Sequence, residues 1–437
     1  MKKELERISY NPAMSSLGYV QLVKSNRNFR SLWFGQIISE LGDWFNNVAV
    51  LGLALHLTGS GLVVTAILLC RTVPSVIFGP FAGVFTDRLS RRTLLLGSDY
   101  VRALLALGFL VVNSHERVWL AYFFSALLTA VSIFFSTAKT AAIPELCENH
   151  QLTPANALTG STTAVLQMAG GAIGGFATQW FGYNIAFLIN AFSFLGSAAF
   201  ILSVKFQEKV PPHSPTDSHP VTTLFKEFHE GILYIWRNAV VLGLVLIGVG
   251  WATGGGAAQI LFSVFAVDIY HAGDAGIGLL YSAGGLGIMI GATMANFYFR
   301  HLTFVVTKWV IGICMALTGV FYSIFSFTHF LSTGFFWIAV SRVTMGITHI
   351  IATTLLMNIV PSEFRGRTFS TKDSLVIFTM VVSMLLAGVG EHYVGIRAIA
   401  LMAGILTFLT GVVWLIANWA GVYQETVVEA ELPLQSQ

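Results

Sequence analysis

Long apolar stretches separated by short polar interruptions cover almost the whole chain. The apolar runs lie near residues 31–56, 62–85, 93–113, 117–140, 157–179 and 184–204 and, after a polar interval, near 239–267, 276–300, 304–328, 332–356, 372–393 and 396–419. Since a helix rises 1.5 Å per residue, about 20 apolar residues cross the hydrocarbon core of a bilayer. The pattern therefore predicts an all-α integral membrane protein with twelve transmembrane helices in two groups of six.

The composition excludes a soluble enzyme as the default interpretation. Of the 437 residues, 55% are hydrophobic and only 10% are charged, and the mean hydropathy is +0.73. A soluble chain usually carries about 25% charged residues, so this chain has too much apolar surface for a water-facing globule. The formal net charge of +3 is too small to indicate a nucleic-acid partner. We therefore expect the lipid bilayer to surround most of the chain.

Basic residues are distributed unevenly between the two sides of the predicted membrane protein. With the amino terminus in the cytoplasm, nineteen of the 24 Lys and Arg residues fall in cytoplasmic segments, and only Arg117 and Arg397 fall outside. Short cytoplasmic loops carry such an excess of positive charge. Both termini are therefore expected in the cytoplasm, in a multi-pass protein of a cell membrane, with the bacterial inner membrane preferred.

The polar interval divides the predicted spans into two halves. We expect a cytoplasmic N-terminal segment (1–30), an N-terminal six-helix bundle (31–204), a cytoplasmic linker with an amphipathic helix (205–237), a C-terminal six-helix bundle (238–419) and a cytoplasmic tail (420–437). The halves repeat a glycine spacing, since Gly175 and Gly182 close span 5 while Gly388 and Gly395 close span 11. Two parallel repeats with a site between them are the architecture of a secondary transporter.

The loop after span 2 carries a family motif. It reads Gly83-Val84-Phe85-Thr86-Asp87-Arg88-Leu89-Ser90-Arg91-Arg92. This segment resembles the G-x-x-x-D-R-x-G-R-R/K signature of the major facilitator superfamily, with Ser90 in place of the second glycine. Residues 39–92, 99–102 and 361–367, with the stretch IPELCENHQLTPANAL, resemble the superfamily's drug-proton antiporter branch, which contains macrolide and enterobactin exporters. The resemblance covers nearly all of the spans.

This resemblance implies a major facilitator fold that works by alternating access. In that family, the acidic residue and the arginines of the loop latch the cytoplasmic ends of the two halves together in one state. The residues that the resemblance assigns to this cytoplasmic gate are Gly83, Asp87, Arg88, Arg91 and Arg92. Asp99 and Arg102 lie near the loop, at the cytoplasmic end of span 3, and we expect them to join the gate. A turn that only fixes topology and a local helix-surface pair are the alternatives.

Charged side chains inside the spans are costly in a bilayer, so each is a candidate functional residue. Glu40 and Asp43 lie on one face of span 1, and Asn47 follows one turn further on. Arg71 and Arg342 lie at similar depth in spans 2 and 10, where an arginine needs a carboxylate or a water-filled cavity. We predict that Asp43 and Glu40 line a central cavity, and that at least one exchanges a proton or pairs with an arginine during transport. A static ion pair is the alternative.

Several further side chains are candidates for the cavity or its surroundings. His349 lies near the face of Arg342 in span 10, and a histidine titrates near neutral pH, although a packing role is the alternative. Lys139 is expected to extend to the inner membrane interface. Aromatic rings suit an amphiphilic or cationic compound. The remaining cavity-lining candidates are Trp44, Trp251, Gln259 and Tyr281.

Small residues spaced four apart predict close helix contacts in the membrane. The sets are Gly79 with Gly83, Gly170–Gly175, and Gly287 with Gly291. The stretch Gly170–Gly175 also resembles a glycine-rich part of span 5 that the family associates with exporters. The run Gly254–Gly256 in span 7 is either a flexible point of the cavity wall or a packing notch.

The sequence favours proton-coupled export of a small amphiphilic compound, such as a drug, a macrolide or a siderophore. The chain is expected to be a transporter rather than an enzyme, to need no cofactor or metal, and to act as a monomer. It has no G-x-x-x-x-G-K-[ST] loop, so ATP is not expected to drive it directly. A lysophospholipid or nutrient transporter of the same fold is an alternative, and a channel or transport-like receptor is a more distant one.

Overall fold

Helices form almost all of the part of the chain that the computed structural model describes, which is residues 13–206, 230–299 and 302–423. The helices that we number are α1 (Ala13–Ser25), α2 (Arg27–Thr58), α3 (Gly61–Arg88), α4 (Arg91–Gly108), α5 (Val118–Leu146), α6 (Leu152–Phe181), α7 (Tyr183–Leu202), α8 (Ala239–Val264), α9 (Gly273–Tyr298), α10 (Phe304–Phe325), α11 (Leu331–Ile359), α12 (Ser362–Val394) and α13 (Ile396–Trp419).

Ten of these helices are long and apolar enough to cross a membrane, namely α3 to α5 and α7 to α13. The chain is therefore a multi-pass membrane protein. Two other long helices, α2 and α6, are less apolar because α2 contains Glu40 and Asp43 and because α6 is rich in Thr and Gly. These two helices contact each other.

Each predicted span falls on one of the long helices, but two helices begin at least five residues earlier than their apolar runs. Helix α12 begins at Ser362 rather than at residue 372, and α6 begins at Leu152 rather than at residue 157. Pro361 precedes α12 in an extended conformation, and the polar residues that follow continue the helix beyond the apolar run. Hydropathy alone finds only the apolar part of such a helix.

The N-terminal segment contains a helix that the apolar pattern did not predict. Helix α1 ends one residue before Asn26, whose Oδ1 accepts a hydrogen bond from the Phe29 amide at 3.0 Å and so caps α2. The Asn26 Nδ2 donates to the carbonyl of Leu146 at 2.7 Å and to Oε1 of Gln151 at 3.1 Å. The junction between α1 and α2 is therefore fastened to the connection between α5 and α6.

The predicted linker lies mostly outside the described residues, as do residues 1–12 and 424–437. Residues 230–237, at its end, are helical and lie against the beginning of α12. Glu230 and Arg367 form an ion pair at 2.7 Å, and the ring of Tyr234 stacks on Phe364 with centroids 4.9 Å apart. The end of the linker is thus attached to the C-terminal group of helices, which comprises α8 to α13.

The two glycines that close spans 5 and 11 have the same backbone conformation. Gly182 follows α6 with φ 81° and ψ 167°, and Gly395 follows α12 with φ 80° and ψ 154°. Only glycine adopts this region readily, and each glycine lets the next helix begin at once. Their matching geometry agrees with the repeat that their spacing in the sequence suggested.

Glycines allow close contacts between several helices, as the sequence predicted. On α6 and α9, Gly171 and Gly278 lie so close that a methyl group on Gly278 would overlap the carbonyl of Gly171. Gly287 and Gly291 face the backbone of α11 in the same way. The prediction is wrong at Gly79, which has open space beside it.

The glycine run of α8, Gly254–Gly256, allows neighbouring helices to pack closely against α8. Gly254 lies against α13, at the carbonyl of Ala403, and Gly256 lies against α12, at the carbonyl of Met380. Helix α8 continues through the run without a break. Of the two interpretations that the sequence left open, the structure favours the packing notch.

Candidate functional site

Polar side chains from three helices surround a cavity of about 330 Å³ beside α2. Asp43, Asn46 and Asn47 share one face of α2 because residues three and four positions apart lie together on a helix. Arg71 extends into the cavity from α3, and α5 contributes two hydroxyl groups. The lining residues are Asp43, Trp44, Asn46, Asn47, Arg71, Leu128, Thr129 and Ser132. Four predicted candidates, Asp43, Trp44, Asn47 and Arg71, thus lie in one cavity.

Asp43 and Arg71 line this cavity without forming a direct ion pair. The Arg71 Nη1 donates a hydrogen bond to Oδ1 of Asn47, a neutral group. Among the described residues, no basic side chain lies within 4.0 Å of the Asp43 carboxylate. The charges of Arg102, Glu40 and Arg71 act on Asp43 from greater distances. A carboxylate and a guanidinium therefore both remain available to groups inside the cavity.

Glu40 has different surroundings from Asp43, although the two residues are one turn apart. Its Oε1 accepts hydrogen bonds from Nε2 of Gln36 at 2.9 Å and from Oγ1 of Thr163 at 3.2 Å. Lys139 reaches the same oxygen with its Nζ at 3.3 Å. Glu40 does not line the cavity around Asp43 but joins α2, α5 and α6. Lys139 is thus paired with Glu40, and its extension to the inner membrane interface stays a prediction.

Asp99 and Arg102 form a buried pair on α4. Their side chains are 0% and 3% exposed, and the Arg102 Nη2 donates to Oδ1 of Asp99. The Arg102 guanidinium lies 3.9 Å from the ring centroid of Phe135 and 4.3 Å from that of Phe194. The pair is local, as the alternative interpretation supposed, but it is enclosed by α5 and α7 instead of lying on the helix surface.

The described side chains of the gate loop contact residues of the N-terminal group of helices, which comprises α1 to α7. Arg91 forms an ion pair with Glu145 at 2.9 Å and donates from Nε to the carbonyl of Ala141 at 3.2 Å. Arg92 donates to the carbonyl of Leu202 at 3.3 Å. The other predicted gate side chains, Gly83, Asp87 and Arg88, lie outside the part of the chain whose side chains are described.

The candidates of the C-terminal group lie apart from the cavity beside α2. Arg342 is 8% exposed and lies near the ring of Phe262, with 5.6 Å from guanidinium carbon to ring centroid. No carboxylate lies within 4.0 Å of Arg342 among the described residues. His349 and Lys372 line a different cavity of about 60 Å³, and Trp251 borders both this cavity and the surroundings of Arg342.

Trp44 and Tyr281 meet across the two groups of helices. Their ring centroids are 6.1 Å apart, and the Tyr281 hydroxyl donates to the backbone carbonyl of Gln259 at 2.8 Å. Tyr281, on α9, therefore contacts Trp44 of the cavity wall, and Gln259 contributes only its backbone carbonyl, which accepts from the Tyr281 hydroxyl. The positions of these residues in the sequence do not reveal that α9 brings them together.

The two groups of helices are joined at one end of the bundle, which we call the sealed end. Its contacts were missed by sequence reasoning, because a single acidic residue near a helix end gives no specific signal. The Asp274 carboxylate and the Tyr183 ring both lie against Gly52. The Glu391 carboxylate lies against Gly61 at the start of α3.

Hydrogen bonds between α6 and α9 lie toward the same end. The amide of Ala172 donates to Oγ of Ser282 at 2.7 Å, and the amide of Ala275 donates to Oε1 of Gln179 at 3.1 Å. Among the described residues, no hydrogen bond joins 31–204 to 238–419 near the opposite end of these helices. Among the described residues, the hydrogen bonds that join the two groups therefore lie toward the sealed end.

Comparison with known proteins gives the family of the chain. The family model of the Major Facilitator Superfamily matches residues 32–307. A putative bacilysin exporter, BacE, of Bacillus amyloliquefaciens is 27% identical over 389 residues, which cover 88% of this chain and 92% of that protein. Macrolide efflux protein A of Streptococcus pyogenes is 21% identical over 395 residues, which cover 88% of this chain and 94% of that protein.

A solved structure with the same fold agrees with this assignment. A bacterial homologue of the iron transporter ferroportin, in an inward-facing state, superposes with a TM-score of 0.65 at 16% identity. The match covers 89% of this chain and 98% of the homologue. The chain belongs to the major facilitator superfamily and is a transporter, not an enzyme. Its exporter-named relatives agree with the drug-efflux branch that the sequence resembles.

Proposed function

We propose that this protein is a secondary active transporter that exports a small amphiphilic compound in exchange for protons, by alternating access. The cavity beside α2 carries this proposal, because it holds the Asp43 carboxylate and the Arg71 guanidinium inside a bundle of apolar helices. A charged group inside a bilayer is costly and is retained where it binds ions, protons or substrate. The exporter names of the relatives support the direction of transport.

The proposed topology has twelve spans, because α2 and α6 are as long as their ten apolar neighbours. Residues 31–204 and 238–419 then form two six-helix bundles, while 1–30, 205–237 and 420–437 lie in the cytoplasm with both termini. The excess of basic residues in those segments supports this orientation in a bacterial inner membrane. The sealed end is then the outer end, because Gly52 lies at the far end of α2.

The proposed conformation faces the cytoplasm. Contacts at the sealed end close the outer side, whereas the described arginines of the gate loop bind Glu145 and the carbonyl of Leu202 within the N-terminal bundle. In the opposite conformation the loop of Asp87 and Arg88 latches the cytoplasmic ends, and the contacts of the sealed end separate. Opening one end while the other closes exposes the cavity to each side in turn.

Asp43 is the proposed coupling residue. It lines the cavity and has no close ionic partner among the described residues, whereas Glu40 is engaged by Lys139 and Gln36. A carboxylate without a fixed partner can change its protonation when the cavity changes its exposure to water and to the nearby Arg71. The proton and the compound then compete for the same cavity, which makes the exchange obligatory.

Proton release from energised inverted vesicles tests this function. Lipophilic cations, macrolides and catecholate siderophores are added to vesicles that contain the full chain, and the control is Glu148→Gln, which neutralises an exposed carboxylate. We expect a saturable, compound-specific signal that is lost in Asp43→Asn and retained in Glu148→Gln. Silence with an inserted, folded protein would favour lysophospholipid or nutrient cargo, flux without saturation would indicate a channel, and binding without flux would indicate a receptor.

A further inference from the structure

The cavity beside α2 offers opposite charges that do not neutralise each other. Asp43 and Arg71 both line it, yet they are not within 4.0 Å of each other. Arg71 donates a hydrogen bond to the neutral side chain of Asn47. Charged groups in a low-dielectric interior are stable only with partners, so a ligand that carries both complementary charges gains most here.

Asn46 provides a second, independent indication of a ligand. This residue is 1% exposed and lines the cavity, and its Oδ1 has no hydrogen-bond partner among the described residues. A buried acceptor without a donor is costly, and such groups are normally satisfied by water or by a ligand. The Oδ1 atom itself is shut off from the cavity, but Asn46 lies one turn from Asp43 on the same face of α2, so a rotation of its amide brings this acceptor beside the Asp43 carboxylate.

We infer that the transported compound is a zwitterionic amphiphile. This inference rests on the proposed function and names the chemical class of its substrate. A primary or secondary ammonium group lies against Asp43 and donates to Oδ1 of Asn46, while a carboxylate or another acidic group binds the Arg71 guanidinium. The apolar part lies against Trp44, whose ring also favours a nearby ammonium. The hydroxyls of Thr129 and Ser132 complete the polar lining.

Other arrangements of charge fit this cavity less well. A lipophilic cation would satisfy Asp43 but leave Arg71 without an anionic partner. A purely anionic compound would satisfy Arg71 but bring its charge toward Asp43 and leave the Asn46 acceptor unpaired. A neutral macrolide would satisfy neither charge. The cavity therefore prefers a compound that carries both charges. A compound that leaves one buried charge unpaired loses that contact and also leaves the cost of burying the charge uncompensated.

Equilibrium binding with matched compounds tests this assignment. The purified full chain, in detergent micelles without any ion gradient, is titrated with phenylalanine, tryptophan and phenylalanyl-phenylalanine, each as the zwitterion, as the methyl ester and as the N-acetyl derivative. The three forms share one apolar part and differ only at the amino and carboxyl groups, which set their charge. We expect at least one zwitterion to bind about tenfold more tightly than both of its derivatives, since one charge-assisted contact is worth about that factor.

Variants of the two charged residues should change this preference in opposite ways. In Asp43→Asn the advantage of the zwitterion over the N-acetyl form disappears, and in Arg71→Gln its advantage over the methyl ester disappears. Arg71→Lys keeps the charge and retains part of the preference, which guards against a loss of folding in Arg71→Gln. Glu148→Gln, on the exposed connection after α5, leaves the preference unchanged.

The inference is overturned if no zwitterion binds more tightly than its derivatives, or if the preference survives both charge-removing variants. The vesicle assay, with the same matched compounds added to its panel, keeps this outcome separate from the proposed function. Compound-specific proton release without a zwitterion preference would reject the substrate class and retain the transporter. Zwitterion-selective binding without flux would retain the binding site and reject proton-coupled export.

Discussion

Asp43 and Glu40 lie one turn apart on α2, yet their surroundings assign them different roles. Glu40 accepts three hydrogen bonds at one oxygen, from Gln36, Lys139 and Thr163, and so ties three helices together. Asp43 faces the cavity without such partners. The difference follows from their neighbours on α5 and α6, which the spacing along α2 does not reveal.

The buried pair of Asp99 and Arg102 leads to a prediction about stability. Arg102→Met should lower the free energy of unfolding by about 3–5 kcal/mol, because it leaves the Asp99 carboxylate buried without its cation. The double variant Asp99→Leu/Arg102→Met should recover most of this loss, since no unpaired charge remains. Equilibrium unfolding in mixed detergent micelles measures both values.

The same variants separate packing from gating. If the pair only supports packing against Phe135 and Phe194, the double variant retains transport along with its stability. If the pair belongs to the cytoplasmic gate, transport is lost in a stable protein. A double variant as unstable as Arg102→Met would show that the ion pair is not the source of the effect.

Individual site residues could be predicted where they were chemically unusual in a membrane span. Asp43, Arg71 and Asn47 stood out as polar groups in apolar runs, and the structure brings them into one cavity. Thr129 and Ser132 did not, because small hydroxyl residues are common in spans and only the rotation of α5 directs them to the cavity. Arg342 stood out equally but lies elsewhere, since depth in the membrane does not determine which cavity a side chain lines.

At the scale of elements, the contact between α6 and α9 depends on glycine. Gly278→Ala should lower the free energy of unfolding by about 1–3 kcal/mol, because the added methyl group meets the backbone of Gly171, which cannot rotate away. Thermal unfolding and vesicle transport measure the effect. Gly79→Ala is the matched control, since that position has open space and lies in a helix, where alanine is favoured over glycine.

The two glycine variants together identify the cause. Equal losses in Gly278→Ala and Gly79→Ala would mean that backbone flexibility matters and that close helix contact does not. A loss confined to Gly278→Ala supports the close approach of α6 and α9 seen in the structure.

The helices themselves could be largely predicted from hydropathy, because a bilayer requires long apolar segments with internally bonded backbones. Helix α1 was missed, since it is short and is held by contacts at Asn26 with residues far away in the sequence. The early start of α12 was missed for a related reason. Its first turns are polar, and they are held by the ion pair of Arg367 with Glu230.

At the scale of the whole molecule, the sealed end must open during transport if access alternates. A disulfide in Thr65→Cys/Gly388→Cys should block transport, because these positions face each other across α3 and α12. The natural cysteines at 70, 147 and 314 are first replaced by alanine. Vesicle flux is measured after oxidation and again after reduction, and reduction should restore it.

A cross-link within one proposed bundle controls for this experiment. Gly42 lies against Ser193, so Gly42→Cys/Ser193→Cys joins α2 to α7 inside the N-terminal bundle. Oxidation of this pair should leave flux largely intact. Full transport with the Thr65–Gly388 positions cross-linked would contradict opening of the sealed end.

The contacts of the sealed end could not be predicted from the sequence. Asp274 and Glu391 are single acidic residues near helix ends, where such residues commonly face water. Their partners, Tyr183, Gly52 and Gly61, belong to the other half of the chain, so the contacts depend on how the halves pack in one conformation. The motif of the gate loop, by contrast, is local in sequence, so the sequence alone indicates the family.

The central claim is that Asp43 couples transport of a compound to protons, and paired flux measurements on Asp43→Asn test it most directly. Reconstituted vesicles are assayed at a saturating concentration of a transported compound, first by counterflow without a gradient and then with a proton gradient. The account predicts that counterflow persists, because the cavity and alternating access remain, while gradient-driven accumulation is lost. Undiminished gradient-driven accumulation in Asp43→Asn would contradict the account.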